Sequence, residues 1–377
     1  MQKILYVATV QSHIAQFHKP VIRMLQEHGC KVDVVARDNL ALKNNLTLTE
    51  PDCIYNVPFY RSPFDLRNIK AYKQLKKIIN ENDYDVIHCN TPVGGVLARL
   101  ASKKARKKGT KVLYEAHGFH FFKGGSKKNW LLYYPIEKLF SKYTDVLVTI
   151  NKMDYALANE KFATKKIEYI PGAGVNLQQF LNVQTTGDIR EELGLDSTAK
   201  IVLSVGELNK NKNQQAIIRA IAKIADKDVH YVIAGNGPKE EELRKLAKKL
   251  KVEERVHFLG YRRDLPYIYQ SADVFALPSY REGLGLASIE AMYFGLPIIT
   301  SNRHGINDYS ITGVTGYKYA PKDYDGFAEG LTTLLNDAEL REKMGNYNKG
   351  FAQEFSVENS VLRMQEIYGE LLGWIKQ

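Results

Sequence analysis

Two carboxylates with seven residues between them, around a glycine turn, are the residues in this chain whose types and spacing point most directly to chemistry. They are Glu282 and Glu290, in the run Pro278-Ser279-Tyr280-Arg281-Glu282-Gly283-Leu284-Gly285-Leu286-Ala287-Ser288-Ile289-Glu290. The apolar Val274 to Leu277 before them reads as a buried strand, and the stretch running to Gly295-Leu296-Pro297 reads as a helix. A strand, a glycine loop and a helix start together form a seat for an anion. The first N–H groups of a helix lack partners, they lie at the positive end of the helix dipole, and glycines let a diphosphate come close. Glu290, about one turn into the helix, is placed to accept hydrogen bonds from a ribose diol while phosphates sit at the helix start. Glu282, still in the loop, would face whatever extends beyond the phosphates. Carboxylates beside an anion are costly unless the ligand brings hydroxyl donors, and a nucleotide sugar brings them at both ends.

This run resembles the signature of retaining glycosyltransferases of the two-Rossmann-domain (GT-B) class, family 4. The resemblance continues into Gly305-Ile306-Asn307-Asp308 and Thr312-Gly313-Val314-Thr315-Gly316-Tyr317, which look like that family's Gly-Ile-Pro-Glu and Asp-Gly-Val-Thr-Gly-Leu runs. It implies a donor nucleotide sugar held by Gly283, Leu284, Gly285 and Glu290, with Glu282 on the sugar. In the loop from Gly206 to Asn213 the family carries an Arg and a Lys for the donor diphosphate. Lys212 matches the Lys, while Glu207 stands in the place of the Arg. Lys210, Arg262, Arg263 and Arg281 are the candidates to replace that lost cation. Gly260-Tyr261-Arg262-Arg263-Asp264 looks like the family's base-binding loop. His117, in Tyr114-Glu115-Ala116-His117-Gly118-Phe119-His120, matches a His that contacts the donor sugar, and His120 lies close by in sequence. Ser12 and His13, with Phe17 and His18, occupy the place of the acceptor loop, without the family's paired glycines. The catalytic set implied is thus His117, Glu282 and Lys212, with Ser12, His13 and His120 toward the acceptor.

These residues need strands to hold them, and apolar strands alternate with helical patterns along the whole chain, the habit of parallel sheets. The first half offers strands at Ile4-Val7, Lys31-Ala36, Val86-Cys89, Val112-Glu115, Val146-Ile150 and Ile167-Ile170, with helices at Pro20-Glu27, Leu66-Ile79 and Val93-Lys107. Pro171-Gly172-Ala173-Gly174 breaks the pattern and opens a connection running to about Asp196. The second half offers strands at Ile201-Val205, Tyr231-Ala234, Val256-Leu259, Val274-Leu277 and Ile298-Thr300. The expected fold is therefore α/β, two Rossmann-like domains of GT-B architecture, residues 1–175 and 176–356. Ligands of such sheets bind beyond the carboxyl ends of the strands, so two facing domains imply a cleft with one substrate on each wall. The pattern from Val357 to Lys376 reads as a helix, and the resemblance implies that 357–377 crosses back to the first domain.

At 377 residues the chain suits two domains, and no apolar run approaches the length of a membrane span. Met1 to Ala8 reads as a first buried strand rather than a leader, since Gln11-Ser12-His13 follow without a small-residue cleavage site. Three widely spaced cysteines, Cys30, Cys53 and Cys89, argue for a reducing cytoplasm over a disulfide framework. Net charge is +11, and all of the excess is N-terminal: 28 Lys and Arg against 15 Asp and Glu in residues 1–180, but 25 against 27 in residues 181–377. Lys103-Lys104-Ala105-Arg106-Lys107-Lys108 is the densest cluster. Phe119 to Tyr143 mixes aromatics, Trp130 among them, with lysines, a composition that suits a membrane interface. Asp83-Tyr84-Asp85 precedes its strand, the wrong edge for a catalytic metal, and no His, Cys or carboxylate group has metal-ligand spacing. No metal and no cofactor are expected.

The sequence thus points to a retaining, metal-independent glycosyltransferase moving a sugar from a nucleotide diphosphate, UDP by expectation, to a lipid-linked or polysaccharide acceptor of cell-surface or capsule synthesis. It would work in the cytoplasm, peripherally bound to the anionic inner face of the cell membrane. A nucleotide-sugar 2-epimerase shares the fold and needs no acceptor. A non-catalytic basic protein is the other rival; it leaves Glu282 and Glu290 without purpose, and no nucleic-acid module is present.

Overall fold

A computed structural model describes residues 1–374 except 44, 45, 63, 182 and 184. The chain divides into two units, residues 1–174 with 357–377 and residues 175–356.

Unit 1 is built on seven strands, Lys3–Val10 (β1), Lys31–Arg37 (β2), Cys53–Asn56 (β3), Val86–Asn90 (β4), Lys111–Ala116 (β5), Val146–Thr149 (β6) and Lys166–Tyr169 (β7). All pair in parallel, in the order β3-β2-β1-β4-β5-β6-β7. Helices cover both faces, so alternate residues of a strand go to opposite cores and the strand reads as a continuous apolar run. In β1, Ile4, Tyr6 and Ala8 join one core while Leu5 and Val7 join the other. The helix Val357–Leu372 belongs to the first of these cores through Met364, Ile367 and Tyr368. It ends at Leu372, short of the Lys376 expected, and Trp374 Nε1 then donates to Gln2 Oε1 at 2.8 Å. Residues 375–377 lie outside the described residues.

Unit 2 repeats the plan with six strands, Lys200–Val205 (β8), Val229–Ala234 (β9), Val256–Gly260 (β10), Val274–Leu277 (β11), Ile298–Ser301 (β12) and Gly316–Tyr319 (β13). Their order is β10-β9-β8-β11-β12-β13, again parallel. Each sheet reverses its winding once, between β1 and β4 and between β8 and β11. Such a switch point leaves a crevice at the strands' carboxyl ends, because the following chains run to opposite sides.

Two sequence expectations change. The helix anticipated over Val93-Lys107 is two, Pro92–Ala101 and Lys103–Arg106. At the break Ser102 Oγ donates to Arg99 O at 3.1 Å, offering that carbonyl a partner off the helical ladder. The edge strands β3 and β13 were not anticipated, being short and only half-buried, without the apolar run that marks the others.

Candidate active site

In unit 2 the residues singled out by sequence gather on the two loops that flank the switch point. The first follows β8. Gly206 turns at φ 145°, and Asn213, at φ 58°, closes the loop in the left-handed region. Asn213 accepts that strain because its buried side chain donates to Pro278 O at 2.9 Å and to Pro321 O at 2.8 Å. The second loop follows β11. It is laced to the first by Asn211, whose Nδ2 donates to Arg281 O and whose carbonyl accepts from Tyr280 N–H, both at 2.8 Å. Gly285, at φ 97°, is the residue before the helix Leu286–Tyr293, and a Cβ there would lie 2.8 Å from Tyr309 Oη.

The lacing brings Lys212 Nζ to 2.9 Å from Glu282 Oε1, with both side chains mostly covered. Glu290 lies on the helix and accepts from Tyr269 Oη at 2.9 Å; burial raises its carboxyl above the usual range, partly offset by that bond. Leu284 is buried beneath the turn. The amides of a helix start, a lysine and two carboxylates are thus set along one edge, the order an anion flanked by hydroxyls requires. Glu207 is exposed, and nothing at its position replaces the absent Arg. Arg262 does not supply that cation: it is held bidentately by Glu192 and by Asp264, which raises its pKa further. Lys210 remains exposed on the loop itself, and Tyr261 is 58% exposed beside Arg262.

In unit 1 His117 follows β5 directly, with its Nε2 2.8 Å from Glu115 Oε1. His13 is packed edge-on against it, ring centroids 4.6 Å apart. Ser12 is turned instead to Asn39, which accepts from its N–H at 3.0 Å and donates to its Oγ at 2.9 Å. His120 is not part of that group. Its ring lies tilted against that of Tyr133, centroids 4.7 Å apart, and it lines a mainly apolar cavity of about 280 Å³ with Val93, Leu97, Ile136 and Phe140. Sequence spacing gave no hint that His18 and His88 join His13, His117 and Glu115. They come from three separate segments, and only the parallel order of β1, β4 and β5 makes them neighbours. Burial lowers the pKa of His13, His18 and His88, while Glu115, which burial would raise, is held down by the imidazoles around it.

The aromatic and basic stretch is also redistributed. Phe119, Phe121 and Phe122 are buried and Trp130 packs on the core, its Nε1 donating to Phe122 O. Leu131, at 81% exposed, is the apolar side chain the helix Lys127–Ser141 leaves outside most fully. Arg106 is bound bidentately to Asp145, whereas Lys103, Lys104, Lys107 and Lys108 are exposed.

Doubly wound sheets with cations, glycines and carboxylates at a switch point define a class, the Rossmann-like enzymes that handle nucleotides. Within it this chain belongs to the glycosyltransferase family: residues 185–351 match the family described as Glycosyl transferases group 1, and residues 3–151 match Glycosyl transferase 4-like. Over 372 residues, 97% of the chain and 96% of the relative, it is 40% identical to the putative glycosyltransferase EpsD of Bacillus subtilis strain 168. It is 29% identical over 315 residues, 81% of each chain, to the UDP-Gal:alpha-D-GlcNAc-diphosphoundecaprenol alpha-1,3-galactosyltransferase of Escherichia coli. Among solved structures it shares its GT-B fold with the sucrose-phosphate synthase of Thermosynechococcus elongatus, with a TM-score of 0.80, 22% identity and full coverage of both chains. HepE of Anabaena, solved in complex with UDP, has a TM-score of 0.79 at 19% identity, covering 98% of this chain and 100% of that one. The 2-epimerase and the non-catalytic binding protein gain no supporting observation.

Proposed function

We propose that the protein transfers a sugar, with retention of configuration, from a UDP-sugar to a lipid-linked saccharide acceptor in cell-surface polysaccharide synthesis. The observation that carries this reading is the Lys212–Glu282 pair beside the helix start, with Glu290 one turn further on. Lys212 and the amides from Gly283 to Gly285 take the diphosphate, and Glu290 takes the ribose diol. The diphosphate draws Lys212 away from Glu282, which frees that carboxylate for the sugar hydroxyls. As the bond from the anomeric carbon to the phosphate oxygen breaks, the acceptor oxygen bonds to that carbon from the same face. The departing phosphate accepts the acceptor's hydroxyl proton. Charge grows on the diphosphate as the bond breaks, which is where a fixed cation and helix amides contribute most. No divalent ion is needed at the diphosphate, because Lys212 and the helix start offset its charge.

The UDP donor and the diphosphoundecaprenol-linked acceptor in the name of the Escherichia coli relative support this choice of substrates. The apolar cavity beside His120 and the exposed Leu131 offer apolar surface to a lipid carrier, on the unit that also holds the exposed lysines. The reading places the enzyme in the cytoplasm, bound peripherally to the anionic inner face of the membrane. Calorimetry with UDP in EDTA, then with Mn²⁺, tests the donor half; binding of equal strength in both is expected, and binding only with Mn²⁺ would overturn it. Incubation of UDP-sugars with a polyprenyl-diphosphate saccharide, followed by NMR of the new linkage, tests the rest, and an inverted anomeric centre would remove the retaining step.

A further inference from the structure

The cavity beside His120 lies between the segment after β3, which contributes Arg61 and Phe64, and the helices Pro92–Ala101 and Lys127–Ser141, which contribute Val96, Leu97 and Ile136. Two polar side chains, Asn68 and Glu137, also reach it, and both are engaged within the protein. Asn68 accepts from Tyr60 N–H at 2.9 Å and donates to Tyr60 O at 3.2 Å and to Ser62 O at 2.9 Å. Glu137 accepts from Arg99 Nη2 at 2.9 Å and from Tyr114 Oη at 3.0 Å. A polar ligand would have to break those bonds, whereas hydrocarbon leaves them intact. The cavity therefore suits an apolar occupant.

Its size and its mouth narrow the choice. An apolar cavity of ~150 Å³ holds a six-carbon ring, so 280 Å³ takes roughly ten carbons, about two isoprene units. Phe64, which lines the cavity, is 68% exposed, and Leu66 and Ile69 just beyond it are exposed too. Leu131 and Leu139 are left outside by the helix Lys127–Ser141. Large apolar side chains in water on neighbouring elements mark an interaction surface. Exposed Arg61, Lys70, Lys127 and Lys128 lie among them in sequence, and cations mixed with apolar side chains suit an anionic lipid interface. Position then decides which lipid. His120 is three residues from His117, so at ~3.6 Å per residue their backbones are no more than about 11 Å apart. A bulk membrane lipid has no reason to come so near the reacting end, but the carrier of the acceptor must.

We propose that this cavity holds the first isoprene units of the acceptor's polyprenyl carrier, with Arg61 at its lip toward the carrier's diphosphate and the saccharide led past His120 to His117. The inference rests on the lipid-linked acceptor proposed above and assigns the carrier a seat in unit 1. It also limits the acceptor. With the cavity this near to His117, the saccharide between the diphosphate and the reacting hydroxyl is short, so the transfer follows soon after the step that places a sugar phosphate on the carrier.

The test is calorimetry of the full-length protein with inorganic, dimethylallyl and geranyl diphosphate, in saturating UDP so that the loops of unit 2 are occupied. Affinity is expected to rise at least tenfold from dimethylallyl to geranyl diphosphate, as a second isoprene unit is buried. Val96→Phe, at a half-buried position on the cavity wall, should lose that gain while its melting temperature and UDP affinity stay unchanged. Phe64→Ser, at the exposed mouth, should weaken it without a packing loss. In turnover, Val96→Phe should raise KM at least tenfold for a polyprenyl-diphosphate saccharide and leave KM unchanged for the same saccharide on methyl diphosphate. Geranyl diphosphate binding no tighter than inorganic diphosphate, or a gain that persists in Val96→Phe, would overturn the proposal. Displacement of geranyl diphosphate by soluble dihexanoyl phosphatidylglycerol would overturn it too, assigning the cavity to bilayer lipid. Transfer with equal KM for both acceptors would count against the cavity alone. Geranyl binding that Val96→Phe removes, in a protein that glycosylates no lipid-linked saccharide, would count against the acceptor reading alone.

Discussion

Lys212 and Glu282 are held at 2.9 Å by each other, so a diphosphate that takes Lys212 must break an existing ion pair. Glu282→Ala is therefore expected to leave UDP affinity equal to or tighter than wild type and to lower turnover, since the sugar loses its carboxylate. Glu290→Ala should instead weaken UDP by about 1–3 kcal/mol, the cost of unpaired ribose donors. Calorimetry showing equal losses in both variants would end the division of roles. Glu290 also sets a pH dependence. Burial raises its folded pKa above the unfolded value, so the folded protein holds a proton more tightly. Between the two values stability falls as pH rises, and above the folded value the whole penalty is carried. Glu290→Gln should consequently melt higher than wild type at neutral pH while binding UDP more weakly. Wild-type UDP affinity should fall on acidification through the raised pKa, and a flat profile there would contradict the ribose role.

At the scale of elements, the site depends on two loops held in shape by a few residues. Gly285→Ala would force a side chain into the left-handed region and set its Cβ 2.8 Å from Tyr309 Oη, displacing the helix start. UDP affinity is expected to drop at least tenfold, and unchanged binding would show that the helix start does not hold the diphosphate. Asn213→Ala would leave Pro278 O and Pro321 O without their donor, at about 1–3 kcal/mol for each buried carbonyl. The strands that carry these loops were legible because both faces of each sheet are covered, so β1, β8 and β11 read as apolar runs. Glu282, Gly285 and Glu290 were legible because they share one strand–turn–helix passage. The histidine group was not, since proximity across β1, β4 and β5 is a property of sheet order and leaves no mark in spacing. Composition also misled at Arg262, Arg106 and Trp130, where a charge or ring that reads as available is already bound to Glu192, to Asp145 or to the core.

On the scale of the molecule, charge is divided as the chain is. The exposed Lys103, Lys104, Lys107 and Lys108 belong to unit 1, and each lysine near an anionic leaflet contributes about 1 kcal/mol, fading within a Debye length. Neutralising these four while leaving Arg106 on Asp145 should abolish sedimentation with anionic vesicles without lowering the melting temperature. Equal sedimentation with neutral vesicles would argue against an electrostatic contact. Unit 2 interrupts unit 1 in sequence, entering after Gly174 and leaving before Val357. A ribosome therefore completes the second unit first. When Ser356 has been made, unit 2 has all its strands, whereas the core around Ile4 and Tyr6 still awaits Met364, Ile367 and Tyr368. The part of the protein synthesised earliest is thus the last to reach its native core, and must wait, partly uncovered, for nearly two hundred further residues to be translated.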